Sequence, residues 1–75
     1  MYKIVNKDFG DTFIGKEKAV IEFANDRKSD NGDKKVKINN LKSAIKYLQD
    51  NDFEVSDIGN LLKGLKLKEN EIVVL

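Results

Sequence analysis

The sequence contains no cysteine, histidine, proline or tryptophan. Without cysteine there is no disulfide framework, and without histidine as well there is no zinc staple of the ordinary kind. The usual proton shuttle and the usual covalent nucleophile are missing for the same reason. Arginine is nearly absent, since Arg27 stands alone and the rest of the 14 basic residues are lysine. Long apolar runs are missing too. None approaches the roughly 18–20 residues needed to cross a bilayer, and the opening "MYKIVNKDFG" carries no apolar core of a secretion signal.

These absences set the first expectations: no catalytic residues, no cofactor, no metal, no membrane partner, and a cytoplasmic location. Paired carboxylates could still cleave a glycosidic bond, but 75 residues leave little room for a substrate cleft. The glycines at 10, 15, 32, 59 and 64 form neither a phosphate loop nor a dinucleotide-binding pattern. Residues 50–61 begin like a calcium loop, with Asp50, Asp52 and Glu54 at ligand spacing. Val55 then stands where the sharp-turn glycine belongs, and Leu61 where the closing glutamate belongs. The same test on "DRKSDNGDKKVK" fails at Lys28.

What is present suits one ordered domain, residues 1–75, near the lower size limit for a chain that folds without staples. Hydrophobic residues make up 40% of the chain and recur in clusters between charged ones, unlike the pattern of a disordered chain. The bias towards lysine and asparagine points to an AT-rich genome, with a bacterium, phage or plasmid as the expected source.

The segment "YKIV" (2–5) suits a short strand, and "NKDFGDT" (6–12) is a turn-rich break around Gly10. Over 15–28, Val20, Ile21 and Ala24 fall at helical spacing, with Glu17 in the first turn and Arg27 and Lys28 in the last. Ala19, Ile21 and Phe23 also alternate, so a strand competes with the favoured helix. Asn31-Gly32 favours a tight hairpin turn, which would make "KKVKI" (34–38) a returning strand. Leu41, Ala44, Ile45 and Leu48 then make one apolar helical stripe, capped by Asn39 or Asn40. "NDFEV" (51–55) breaks that helix and adds a short strand. Ser56 is placed to cap a second helix with Asp57 in its first turn, Ile58, Leu61, Leu62 and Leu65 on its apolar face and Gly64 as its stop. "EIVVL" (71–75) reads as a terminal strand.

The expected fold is therefore α+β: a short sheet from the chain termini, with residues 34–38 as a candidate addition, and two to three helices packed on one face. The expected core comprises Ile4, Val5, Val20, Ile21, Ala24, Leu41, Ala44, Ile45, Leu48, Ile58, Leu61, Leu62, Ile72 and Val74. Phe53, flanked by acids, fits beneath the helix break. Phe9 and Phe13 flank Gly10 in the most loop-like segment and are the aromatics expected to be exposed for a protein contact.

Charge is segregated. Residues 34–49 hold Lys34, Lys35, Lys37, Lys42 and Lys46 and no acid, with Tyr47 nearby to stack. These residues are candidate contacts for nucleic acid or an acidic partner, with a merely solvated lysine face as the competing reading. The spacing of "IKYLQDNDFEVSDIGNLL" resembles the first two helices of winged-helix regulators over about 20 residues, a resemblance that implies DNA binding. Against it stand a net charge of only +1, the acids Asp50, Asp52, Glu54 and Asp57 around the second helix, and the lack of arginine for base reading. The chain also continues only ten residues past Leu65, too few for both a recognition helix and a wing. The balance favours a small non-enzymatic binding protein, accessory or regulatory, whose partner is another protein. A homodimer through an exposed sheet edge, a nucleic-acid-binding accessory factor and a structural subunit are the alternatives.

Overall fold

The computed structural model describes residues 1–33, 36–59 and 66–75. The order of elements is β1 (Tyr2–Asn6), β2 (Thr12–Gly15), α1 (Glu17–Asp30), α2 (Leu41–Asp50), β3 (Phe53–Asp57) and β4 (Ile72–Val74). The strands form one antiparallel sheet in the order β3-β1-β2-β4, so the fold is α+β with two described helices. The strand from the end of the chain pairs with β2 and not with β1.

The β1–β2 hairpin fills the middle of the sheet. Its turn is organised by Asn6, whose Oδ1 accepts from the N–H groups of Asp8 (2.9 Å) and Phe9 (3.2 Å). Gly10 closes it at φ +78°, a backbone conformation that glycine adopts without penalty. The register places Tyr2, Ile4, Phe13, Phe53 and Val55 on one face of the sheet, because directly opposed residues share a face. Both helices pack there: Ile4, Val20, Ala24, Ala44, Leu48 and Phe53 form a continuous buried core. Three rings bind the layers together. Phe23 of α1 lies 5.0 Å from Phe13 and meets Phe53 edge-on at 5.5 Å, a geometry that aromatic quadrupoles favour.

Residues 17–30 are helical, which settles the competition with a strand in favour of the helix. In α2 the apolar stripe faces the core, and Asn40 caps the helix by accepting from the Ser43 N–H at 2.8 Å. Buried Phe53 agrees with its expected place in the core.

Several expectations change. Phe13 is half-buried in the helix-facing layer against Phe23; only Phe9 of that pair is exposed, at 82%. Asn31-Gly32 ends α1 and turns no hairpin, because the Asn31 and Gly32 N–H groups bond back to Arg27 and Ser29. Residues 36–38 are not a strand, while 34 and 35 lie outside the described residues. Ser56 and Asp57 begin no helix: they pair with Lys3 and Tyr2 in the sheet, and Gly59 turns away at φ +57° while donating to the Asp57 carboxylate. The remainder of that predicted helix, with Leu61, Leu62, Gly64 and Leu65, lies outside the described residues. Val74 is exposed, and Ile14, Ala19 and Leu67 are buried without having been expected in the core. Ile14 lies on the face away from the helices, opposite Lys3 and Val73.

Gly15 marks the tightest approach in the fold. A Cβ there would sit 2.8 Å from Ile72 Cδ1, 2.9 Å from Ala19 Cβ and 3.1 Å from the Glu71 carbonyl oxygen. Gly15→Ala is expected to cost about 1–3 kcal/mol through overpacking, lowering the melting temperature by several degrees. A thermal melt unchanged from that of the wild type would contradict this packing.

Candidate functional site

The site is built from two neighbouring elements, β3 at one edge of the sheet and α2 above it. Where β3's backbone groups point follows from its register with β1. Lys7 N–H bonds to the Asp52 carbonyl and Ile58 N–H to the Met1 carbonyl, both at bonding distance. In an antiparallel ladder hydrogen-bonded pairs alternate, so Glu54 and Ser56 turn their N–H and C=O towards β1. Phe53, Val55 and Asp57 turn theirs outward. Among the described residues no strand occupies that side.

Above this edge, α2 presents a flank that its core stripe does not use up. Leu41 and Ile45 are half-buried, and with Lys42, Lys46 and Gln49 they line an apolar furrow of about 460 Å³. A second depression of about 410 Å³ runs along the open face of β3, lined by Lys3, Val5, Lys7, Glu54 and Ser56 with Phe53, Val55 and Gln49. Gln49 belongs to both, so the furrows meet at the Phe53 end of the strand. Lys42 and Lys46 are exposed, and neither forms a salt bridge among the described residues. The face thus combines open backbone hydrogen bonds, an apolar wall and two uncommitted cations on the wall's rim.

The lysines singled out in the sequence do not act as one group. Lys42 and Lys46 border the α2 furrow, whereas Lys37 lines a separate depression of about 190 Å³ with Asn25, Lys28, Ser29, Asp33 and Val36. Lys34 and Lys35 lie outside the described residues. Tyr47 does not project to stack. Asn31 Nδ2 donates to its hydroxyl at 3.0 Å, and Lys28 Nζ sits 5.3 Å from its ring centroid, holding it against the end of α1. Lys28 also pairs with Asp33 at 3.1 Å. The acids of the apparent calcium loop are spread over the end of α2, a turn with Asp52 at φ +68°, and β3. Among the described residues no cluster of three or more acidic side chains could hold a metal, and no helix is long and apolar enough to cross a membrane.

Sequence reasoning missed Asn25, which fixes the approach to α2. Its Nδ2 donates to the Ile38 carbonyl at 2.8 Å, and its Oδ1 accepts from the Ile38 N–H at 2.9 Å. The side chain thereby imitates a neighbouring strand for one residue of the connection. Helical periodicity places Asn25 beside the buried Ala24, and only the tertiary partner reveals its use. No family model matches this chain, and neither does any curated protein or solved structure.

Removing the Asn25 amide leaves both polar groups of half-buried Ile38 unpaired, which costs about 1–3 kcal/mol. Asn25→Ala is therefore expected to shift the urea midpoint downward and to speed exchange of the Ile38 amide. Retention of both wild-type values would show that this pair does not anchor the connection.

Proposed function

We propose that this chain is a small, non-enzymatic binding protein, an accessory or regulatory factor that accepts an extended segment of a partner protein along β3. The observation that carries the reading is the outward backbone of Phe53, Val55 and Asp57 beside the apolar flank of α2. Strand addition draws affinity from main-chain hydrogen bonds and specificity from pockets that take alternate side chains. Here the α2 furrow would take those side chains on the helix side.

Charge defines the segment further. Side chains facing α2 would be apolar, with acids where Lys42 and Lys46 reach them. Those on the opposite face would run beside Glu54 and Ser56, with Lys3 and Lys7 lining the same depression, and would be neutral or of mixed charge. A cytoplasmic setting suits such a factor, since a cysteine-free chain needs no oxidising compartment. The lysine and asparagine bias supports a bacterial, phage or plasmid source.

Selection of a random-peptide library on the folded protein tests the reading, followed by NMR titration of the selected peptides. The expected peptides alternate apolar and acidic residues with other types. They shift the amides of Leu41, Ile45, Gln49 and residues 53–57, and lose about tenfold in affinity, near 1.4 kcal/mol, on Lys46→Glu. Peptides that bind elsewhere, or that ignore this substitution, overturn the reading. So does duplex DNA binding that is tight at about 50 mM salt, collapses at about 200 mM and is lost on Lys42→Glu with Lys46→Glu, which would assign the face to nucleic acid.

A further inference from the structure

Asn31-Gly32 ends α1 and takes no part in the β3 face, yet it carries a chemistry of its own. Asn31 alone among the asparagines is followed by glycine. Asparagine is a labile residue, because the nitrogen of the next peptide unit can attack its side-chain amide. Glycine, with no Cβ, leaves that nitrogen least hindered. Both residues are exposed here, and a Cβ built on Gly32 would meet nothing within 4 Å. The other asparagines precede bulkier residues. Two of them are also held by their side chains, Asn25 by both polar groups of Ile38 and Asn6 by the N–H groups of Asp8 and Phe9.

In the closed turn the pair is restrained. The Asn31 N–H bonds to the Arg27 carbonyl and the Gly32 N–H to the Ser29 carbonyl, each at 3.0 Å. Asn31 Nδ2 donates to the Tyr47 hydroxyl at 3.0 Å, so the side-chain amide is tied to α2. The attacking nitrogen is thus engaged as a donor, and the amide it would attack is held elsewhere. Both restraints sit at the last turn of a helix, where local opening costs least.

We infer that Asn31 is a site of spontaneous deamidation, which proceeds when the end of α1 opens and is held back by the Tyr47 hydroxyl. In the open turn the Gly32 nitrogen gives its proton to solvent and attacks Asn31 Cγ. The new N–Cγ bond closes a succinimide ring, the Cγ–Nδ2 bond breaks, and Nδ2 takes up a proton from water and leaves as ammonia. Water then opens the ring at one of its two carbonyls, giving aspartate or isoaspartate. The net exchange is water in and ammonia out, with no oxidant and no cofactor. Either product carries a carboxylate where the amide stood and takes the net charge from +1 to zero. Aspartate can keep the tie to α2, because the Tyr47 hydroxyl can turn from acceptor to donor. Isoaspartate adds a methylene to the main chain, which moves the Gly32 and Asp33 N–H groups out of register with the Ser29 and Lys28 carbonyls and undoes the cap. The modification therefore loosens the contact between α1 and α2 as the chain ages, whatever the β3 edge binds.

Incubation of the folded chain in mildly alkaline buffer tests this, followed by tryptic digestion and mass spectrometry against an unincubated control. The tryptic peptide 29–34 contains Asn31 and no other side-chain amide. In the wild type this peptide is expected to gain the mass difference between an amide and a carboxylic acid before any other asparagine peptide does, and to split into two products of equal mass. Tyr47→Phe keeps the ring beside Lys28 but removes the acceptor. It is expected to deamidate a few-fold faster, as loss of one hydrogen bond allows, with a wild-type circular dichroism spectrum. Asn31→Gln, whose longer side chain disfavours ring closure, is expected to leave the peptide unchanged over the same period. A wild-type peptide 29–34 that stays unchanged while others gain mass, or an equal rate in Tyr47→Phe, would overturn the inference.

Discussion

Phe23 holds the architecture together. β2 and β3 flank β1 on opposite sides and share no hydrogen bonds, yet both must lie under the same helical layer. Phe23, projecting from α1, touches Phe13 of β2 and Phe53 of β3 at once. One ring thus spans the sheet across β1, while Ile4 fills the space beneath and Arg27 lies over the ring, 5.4 Å from its centroid. In a chain of this size the layer between helices and sheet must supply much of the stability, and the aromatic row gives that layer its breadth.

With the helices committed to one face by this row, the positions of the two edges follow. β3 emerges directly from α2 through the Asn51–Asp52 turn, so its free side lies beside the outer flank of the same helix. β4 is instead attached to β2 at the far side, with no described helix next to it in sequence. The edge next to α2 acquires an apolar wall and a lysine rim. The functional reading rests on this placement.

Parts of this were legible in the sequence for identifiable reasons. The stripe of Leu41, Ala44, Ile45 and Leu48 with its Asn40 cap is a local pattern, and α2 forms where that pattern lies. The strands at 2–5 and 71–75 were visible as β-branched runs. β2 was not, because it has four residues, follows Gly10 closely and ends on Gly15, and both glycines read as punctuation. Ser56-Asp57 has the local chemistry of a helix start, but pairing with Tyr2 and Lys3 outweighs a cap. Asn31-Gly32 similarly has hairpin chemistry and serves to end α1. The candidate site was half legible: Lys42 and Lys46 were chosen for their charge, but the edge beside them is a product of strand order, which no local pattern encodes.

The central claim is that β3 is an open edge with Phe53, Val55 and Asp57 facing outward, and residue-resolved amide hydrogen exchange addresses it most directly. The account predicts an alternating pattern along β3. Glu54 and Ser56 amides, bonded to β1, should exchange slowly, while those of Phe53, Val55 and Asp57 exchange much faster. Uniform protection across 53–57 would mean that something already covers this edge, and would contradict the account.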